Sequence, residues 1–215
     1  MGDSLAICLW KWGDNYTAEQ VNLMVRMIRK NLAQPHRLIC FTDDPAGIEC
    51  ETMPVWETPK EIPRHLNCLR RVKLFDMDLA DRMVSMDIDG VVTGPLDPLV
   101  DRDDPFVIWN YPIKVPIPYC GSMFMVRRDA LRHVWHDLFT DAFDRVTPAQ
   151  WKHGSDQVWF CQRLPNAQTW GVADGMYSFR NHCASNLPEN ARVVWFHGKP
   201  KPWDVRRDWV PKLGG

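Results

Sequence analysis

Apolar positions along this chain fall into short runs divided by polar punctuation, and the spacing within the runs changes. Leu5–Leu9 is a continuous apolar run of strand length, followed by the turn Lys11-Trp12-Gly13-Asp14-Asn15-Tyr16. Thr17 with Gln20 three residues later forms a capping box. Val21, Met24, Val25 and Ile28 then recur at helical spacing, which predicts a helix to about Leu32, ended before Pro35. Arg37–Phe41 predicts a second strand and 42–47 a turn. Strand, helix, strand is the repeating unit of a parallel α/β sheet.

The pattern then loosens. Residues 51–64, rich in Pro, Thr and Glu, read as loop. From Asn67 to about Leu79, Leu69, Val72, Leu74 and Phe75 recur at helical spacing, with Arg70, Arg71 and Lys73 on other faces and Arg71 expected toward solvent. Short strands are expected at Arg82–Met86, Val91–Thr93, Phe106–Trp109, Ser122–Val126 and Arg192–Phe196. Helices are expected at Asp129–Phe139 and at Ser155–Gln162, the latter with Ser155 as N-cap. The sum is an α/β fold, Rossmann-like, with a mostly parallel central sheet in one domain spanning 1–215.

Composition narrows the classes. The chain has 215 residues, 45% hydrophobic and 25% charged, with a net charge of −1, so no global field draws it to nucleic acid. No stretch approaches the roughly 20 apolar residues that span a bilayer. The start MGDSLAICLW lacks the basic opening and long apolar centre of an export signal, so a cytoplasmic location is expected. The seven cysteines have neither zinc-knuckle nor redox-pair spacing and read as reduced thiols, several of them buried. The eleven tryptophans read first as core packing, with a secondary hint of a surface for flat sugar rings.

The candidate chemistry sits at Met83-Val84-Ser85-Met86-Asp87-Ile88-Asp89, where an apolar strand runs into two acids one residue apart. Alternate side chains of an extended chain share a face, so Asp87 and Asp89 can reach one ion. They would lie at the carboxyl end of a sheet strand, where open α/β sheets bind ligands. Two carboxylates with phosphate oxygens and water suit Mg²⁺ or Mn²⁺. Asp76-Met77-Asp78 repeats the spacing inside a predicted helix, where the two side chains diverge by about 200°. Asp101, Asp103 and Asp104 form an acidic loop. His133 and His136 with Asp137 are the residues a zinc hydrolase would need, without an evident third ligand or base. Lys11-Trp12-Gly13-Asp14 is a poor phosphate loop for a nucleotidyltransferase.

With these motifs in order, the chain resembles glycosyltransferases of the A-type fold, in the pattern of the glycogenin and bacterial lipopolysaccharide galactosyltransferase group. Four features carry the resemblance: the opening strand with Tyr16 and its helix; the basic helix before Asp87-Ile88-Asp89; Gly154-Ser155-Asp156-Gln157; and His197-Gly198 with Lys201-Pro202-Trp203. The resemblance covers most of the chain, with a nucleotide-sugar half over about 1–95 and an acceptor half over about 96–205. It implies a nucleoside-diphosphate sugar donor, with UDP-hexose the expectation, an acceptor hydroxyl, and retention at the anomeric carbon. A non-catalytic nucleotide-sugar binder is the alternative that keeps the fold.

The same resemblance implies Mn²⁺ (or Mg²⁺) on Asp87, Asp89 and His197. It places the donor diphosphate on Lys201 or Lys199 beside Gly198, and a donor contact on Arg70, with Lys73 its competitor. It gives uracil stacking to Tyr16, a phosphate contact to Lys11, a nucleoside contact to Asp43, and the transferred sugar to Asp156 and Gln157. Gly121-Ser122 matches a small-residue strand beside the donor sugar. Loops around 55–66, 110–119 and 140–153 are expected to receive the acceptor. The resemblance leaves room for peripheral contact with a membrane.

Overall fold

A computed structural model describes residues 3–56, 64–110, 117–145 and 155–213. Its largest element is a seven-stranded sheet. In chain order, β1 is Leu5–Lys11, β2 Arg37–Thr42, β3 Glu51–Pro54, β4 Arg82–Met86, β6 Phe106–Asn110, β7 Tyr119–Arg127 and β8 Gln168–Trp170. Their order across the sheet is β3-β2-β1-β4-β7-β6-β8. β3, β2, β1 and β4 run parallel, β7 is antiparallel to both β4 and β6, and β8 rejoins parallel to β6. A smaller sheet holds β5 (Gly90–Val92), β10 (Val193–Trp195) and β9 (Met176–Ser178) in that order.

Alternation along β1 divides the interior. Leu5, Ile7 and Leu9 join one apolar cluster with α1 (Ala18–Asn31) and the small sheet. Ala6, Cys8 and Trp10 join a second with a 3₁₀ helix (Arg64–Asp76), α3 (His133–Arg145) and α4 (Ser155–Arg163). The large sheet is thus the middle of three layers, as a sheet apolar on both faces requires. A short helix, α2 (Asp97–Val100), follows the small sheet's first strand.

The opening βαβ unit forms as its sequence predicts. Thr17 and Gln20 make the reciprocal capping box, with Thr17 N to Gln20 Oε1 at 2.9 Å and Gln20 N to Thr17 Oγ1 at 3.3 Å. Several expectations need correction. Glu51–Pro54 within the expected loop is a strand, because an edge position tolerates its Pro and half-exposed faces. The helix expected from Asp129 starts at His133, because Asp129 and Leu131 have φ of 61° and 60°, outside helical geometry. The Ser155 N-cap falls at the border of the described residues.

The most consequential correction concerns residues 64–76, which wind at three residues per turn instead of 3.6. At that period side chains three apart eclipse. Leu69, Val72 and Phe75 form one buried row, Arg71 and Leu74 a second, and Arg70, Lys73 and Asp76 a half-exposed third. Arg71 therefore faces inward, not toward solvent.

No helix among the described residues is long and apolar enough to cross a membrane. None of the seven cysteines is in a disulfide, and Cys8, Cys40, Cys120 and Cys183 are buried. Four tryptophans, Trp109, Trp159, Trp170 and Trp195, are among the largest fully buried side chains.

Candidate active site

Polar side chains converge where β4 ends between β1 and β7. Past Met86 the chain leaves the strand, but Asp87 N still donates to Ser122 O of β7 at 2.8 Å. Phe196 N donates to Asp89 O at 3.1 Å, continuing the antiparallel pairing of β5 with β10. That register delivers His197 beside the two aspartates, over a hundred residues away in sequence. Gly90 is required there, since a Cβ would stand 2.5 Å from the Trp195 ring.

Arg71 is the hub. It is 5% exposed and ion-pairs with Asp87 through Nη1 and with Asp156 through Nη2, while Nη1 also donates to Gly121 O at 2.8 Å. Burial disfavours its charge, yet the carboxylates of Asp156 and Asp87 outweigh that and hold its pKa above the usual range. Asp156, 2% exposed, opens α4 and accepts from Gln157 N at 2.9 Å. Burial raises its pKa, with Arg71 opposing. Gly121 leaves room for this pair: a Cβ would lie 2.6 Å from Asp156 Oδ2 and 2.7 Å from Arg71 Nη2.

Asp89 meets the Lys201 ammonium and the Tyr16 hydroxyl. Burial and the neighbouring Asp87 raise its pKa, while Lys201 and Tyr16 oppose. Burial and the two aspartates push the Tyr16 phenol well above its ordinary range, and its ring meets Trp203 edge-on at 6.0 Å. His197 stacks on Trp109 at 4.9 Å and 14°, with Cys120 Sγ 4.0 Å from Nδ1. Burial lowers its pKa to about 4, so the imidazole is neutral at pH 7 with a lone pair to offer.

The structure thus gathers Asp87, Asp89, His197, Asp156, Tyr16 and Lys201 into one neighbourhood, with Gln157 following Asp156 in α4. Lys201 rather than Lys199 turns to the acids; Lys199 faces solvent and lies 3.6 Å from Asp204. Gly198 turns the chain between His197 and Lys199 with φ of 66°. Arg70 and Lys73 make other contacts. The Arg70 guanidinium lies 5.5 Å over the Trp12 ring, and Lys73 meets Asp76 at 2.6 Å beneath Trp135. Arg71, which the sequence pattern turned outward, takes the interior position. Asp43 accepts from Gly13 N at 2.8 Å and fixes the β1–α1 turn. Lys11 is buried at the end of β1.

His133 and His136 are exposed, with His136 3.7 Å from Asp76, while Asp137 pairs with Arg163; these three do not converge as a zinc site. Most of the expected acceptor loops, 57–63, 111–116 and 146–154, lies outside the described residues, as does Gly154.

Among the described residues no three His, Cys, Asp or Glu side chains already stand in a ligating array. The donor set nevertheless fits a divalent cation. Three carboxylates, Asp87, Asp89 and Asp156, face two cations, Arg71 and Lys201, which leaves excess negative charge in a buried place. The Lys201 ammonium on Asp89 occupies the position a cation would contest. Two carboxylates and a neutral imidazole suit Mn²⁺ better than Mg²⁺.

Neither protein-family models nor curated proteins match the chain. Solved structures do. The galactosyltransferase LgtC in complex with donor and acceptor sugar analogs superposes with a TM-score of 0.63 at 14% identity, over 98% of this chain and 92% of that one. An active-site mutant of LgtC gives 0.62 at 12%, over 96% and 91%. The apo glycosyltransferase GlyE of Streptococcus pneumoniae TIGR4 gives 0.64 at 11%, over 93% of this chain but only 56% of that one. The chain has the A-type glycosyltransferase fold.

Proposed function

We propose that this chain is a metal-dependent glycosyltransferase that moves a hexose from a nucleoside diphosphate to an acceptor hydroxyl. The observation that carries the reading is the convergence on one buried arginine, Arg71, of two carboxylates from different parts of the chain, beside the Asp89–Lys201 pair. The fold shared with LgtC and GlyE supports it.

A divalent cation held by Asp87, Asp89 and His197 would supply charge neutralisation for the departing diphosphate. Lys201 donates to the same diphosphate, an electrostatic role that is often the largest catalytic contribution. Asp156 accepts from hydroxyls of the transferred sugar, and Arg71 with the Gln157 amide fixes its carboxylate orientation. Gln157 lines the reacting carbon. The Tyr16 ring supports the nucleobase. The sugar–phosphate C–O bond breaks, the bond to the acceptor oxygen forms on the same face, and the leaving phosphate oxygen takes the acceptor proton. This route would retain the anomeric configuration without a covalent enzyme intermediate.

The test is release of nucleoside diphosphate from UDP-glucose, UDP-galactose, UDP-N-acetylglucosamine and GDP-mannose, with and without Mn²⁺, for wild type and Asp89→Ala. Release that requires both Mn²⁺ and Asp89 is expected. If no nucleotide-sugar is cleaved and none stabilises the protein in a thermal melt, the reading is wrong.

A further inference from the structure

Lys11 is a largely buried lysine that the chemistry above does not use. It is the last residue of β1 and is 6% exposed. Among the described residues no carboxylate pairs with it and no side-chain hydrogen bond holds it, in contrast to Arg71 and Lys201. The stem is packed away while the ammonium itself keeps contact with solvent, so it can donate to a group bound beside it. Lys11 continues the Leu5, Ile7, Leu9 row toward α1, and its register partner Thr42 continues the Leu38, Cys40 row of β2. Its charge is felt at the Cys40 thiol.

Strand order decides what lies above it. The aspartates end β4, and Asp156 packs against Gly121 of β7 on one side of them. β1 and then β2 lie on the other side. A donor with its sugar at Asp156 and its diphosphate at Lys201 must send its nucleoside across β1 toward β2. One to two strand spacings, roughly 5–10 Å, match the reach from a diphosphate to its base. Tyr16 lies between, with Asp89 at its hydroxyl. The ribose trails toward the diphosphate, so the base edge opposite the ribose leads toward Lys11. On a pyrimidine that edge carries the C4 substituent.

We propose that Lys11 is a specificity-determining residue that donates to the 4-keto oxygen of the donor's base, selecting uridine over cytidine nucleotides. The inference rests on the nucleotide-sugar reading of this site. An ammonium offers only donors, so it accepts a keto group and rejects the cytosine 4-amino group, itself a donor.

Titrating UDP and CDP calorimetrically into wild type and Lys11→Met, each with Mn²⁺, tests it. The Met side chain keeps the apolar stem's packing. Wild type is expected to bind UDP at least tenfold more tightly than CDP. In the variant UDP binding should weaken about 10- to 100-fold, the range for a hydrogen bond to a charged group, while CDP changes little and the gap closes. The apo variant should melt close to wild type, since no ion pair among the described residues is lost. Equal losses for UDP and CDP would place Lys11 on the ribose or phosphates and overturn the proposal. So would unchanged UDP binding in the variant, or equal affinities for UDP and CDP in wild type, a comparison that needs no variant. Failure of wild type to bind any nucleotide would instead sink the glycosyltransferase reading, and this one with it.

Discussion

Replacing Arg71 with Met keeps an unbranched apolar stem but leaves Asp156, 2% exposed, and Asp87 without their shared cation. Removing one partner of a buried ion pair costs about 3–5 kcal/mol, because the remaining charge is uncompensated. For a chain of this size that lowers Tm by roughly 6–20 °C. The deficit should depend on pH. Burial already raises the Asp156 pKa, and Arg71 restrains that rise, so the variant's rise is larger. A carboxyl whose folded pKa exceeds its unfolded value binds protons more tightly when native. Its contribution is fully present below the unfolded pKa and is lost as pH rises through the folded one. The variant's deficit should therefore be smaller near about pH 5 than near about pH 8. Adding Asp156→Asn should recover much of the loss, a coupling readable as a double-mutant cycle. Urea unfolding followed by tryptophan fluorescence measures all four proteins. A loss below about 1 kcal/mol, or one equal at both pH values, would refute the hub role.

Three further outcomes are expected. Gly121→Ala drives a Cβ into the Arg71–Asp156 pair, so it should cost about 1–3 kcal/mol and lower turnover, read by thermal melting and nucleotide release. Ser85→Ala removes the buried acceptor 2.9 Å from Trp10 Nε1 and should cost about 1–3 kcal/mol in urea unfolding. Lys201→Met removes the ammonium that competes for Asp89, so Mn²⁺ should bind the nucleotide-free variant more tightly while UDP binds more weakly. Calorimetry shows whether the two affinities move in opposite directions; a parallel fall would contradict the competition.

The opening βαβ unit was legible because its signals are local. A capping box, an apolar row at helical spacing and strand-length apolar runs each act within a few residues. Asp87 and Asp89 were legible for the same reason: an apolar strand ran into them. β3, β8 and β9 were missed because short edge strands carry little alternation, and their pairing partners lie far along the chain. Arg71 was missed through the wrong period. At 3.6 residues per turn neither Arg70 nor Arg71 is clearly inward, whereas at three per turn Arg71 eclipses the buried Leu74 and Arg70 eclipses Lys73. The Leu69, Val72, Phe75 row was the available sign of that period.

By itself the sequence determined the α/β class, the first helix and its cap, the core strands and the acidic pair after β4, because each rests on hydrophobic period or backbone hydrogen bonding over short separations. Only the tertiary structure decided which basic residues serve which acids. It chose Arg71 over Arg70, set Lys201 rather than Lys199 on Asp89, and packed the stem of Lys11 at the end of β1 with no carboxylate partner among the described residues. It also brought His197 beside Asp87 and Asp89 through the pairing of β5 with β10. Charges find partners through space after the sheets have formed, and the register that joins Gly90 to Trp195 is fixed by packing that no local pattern encodes.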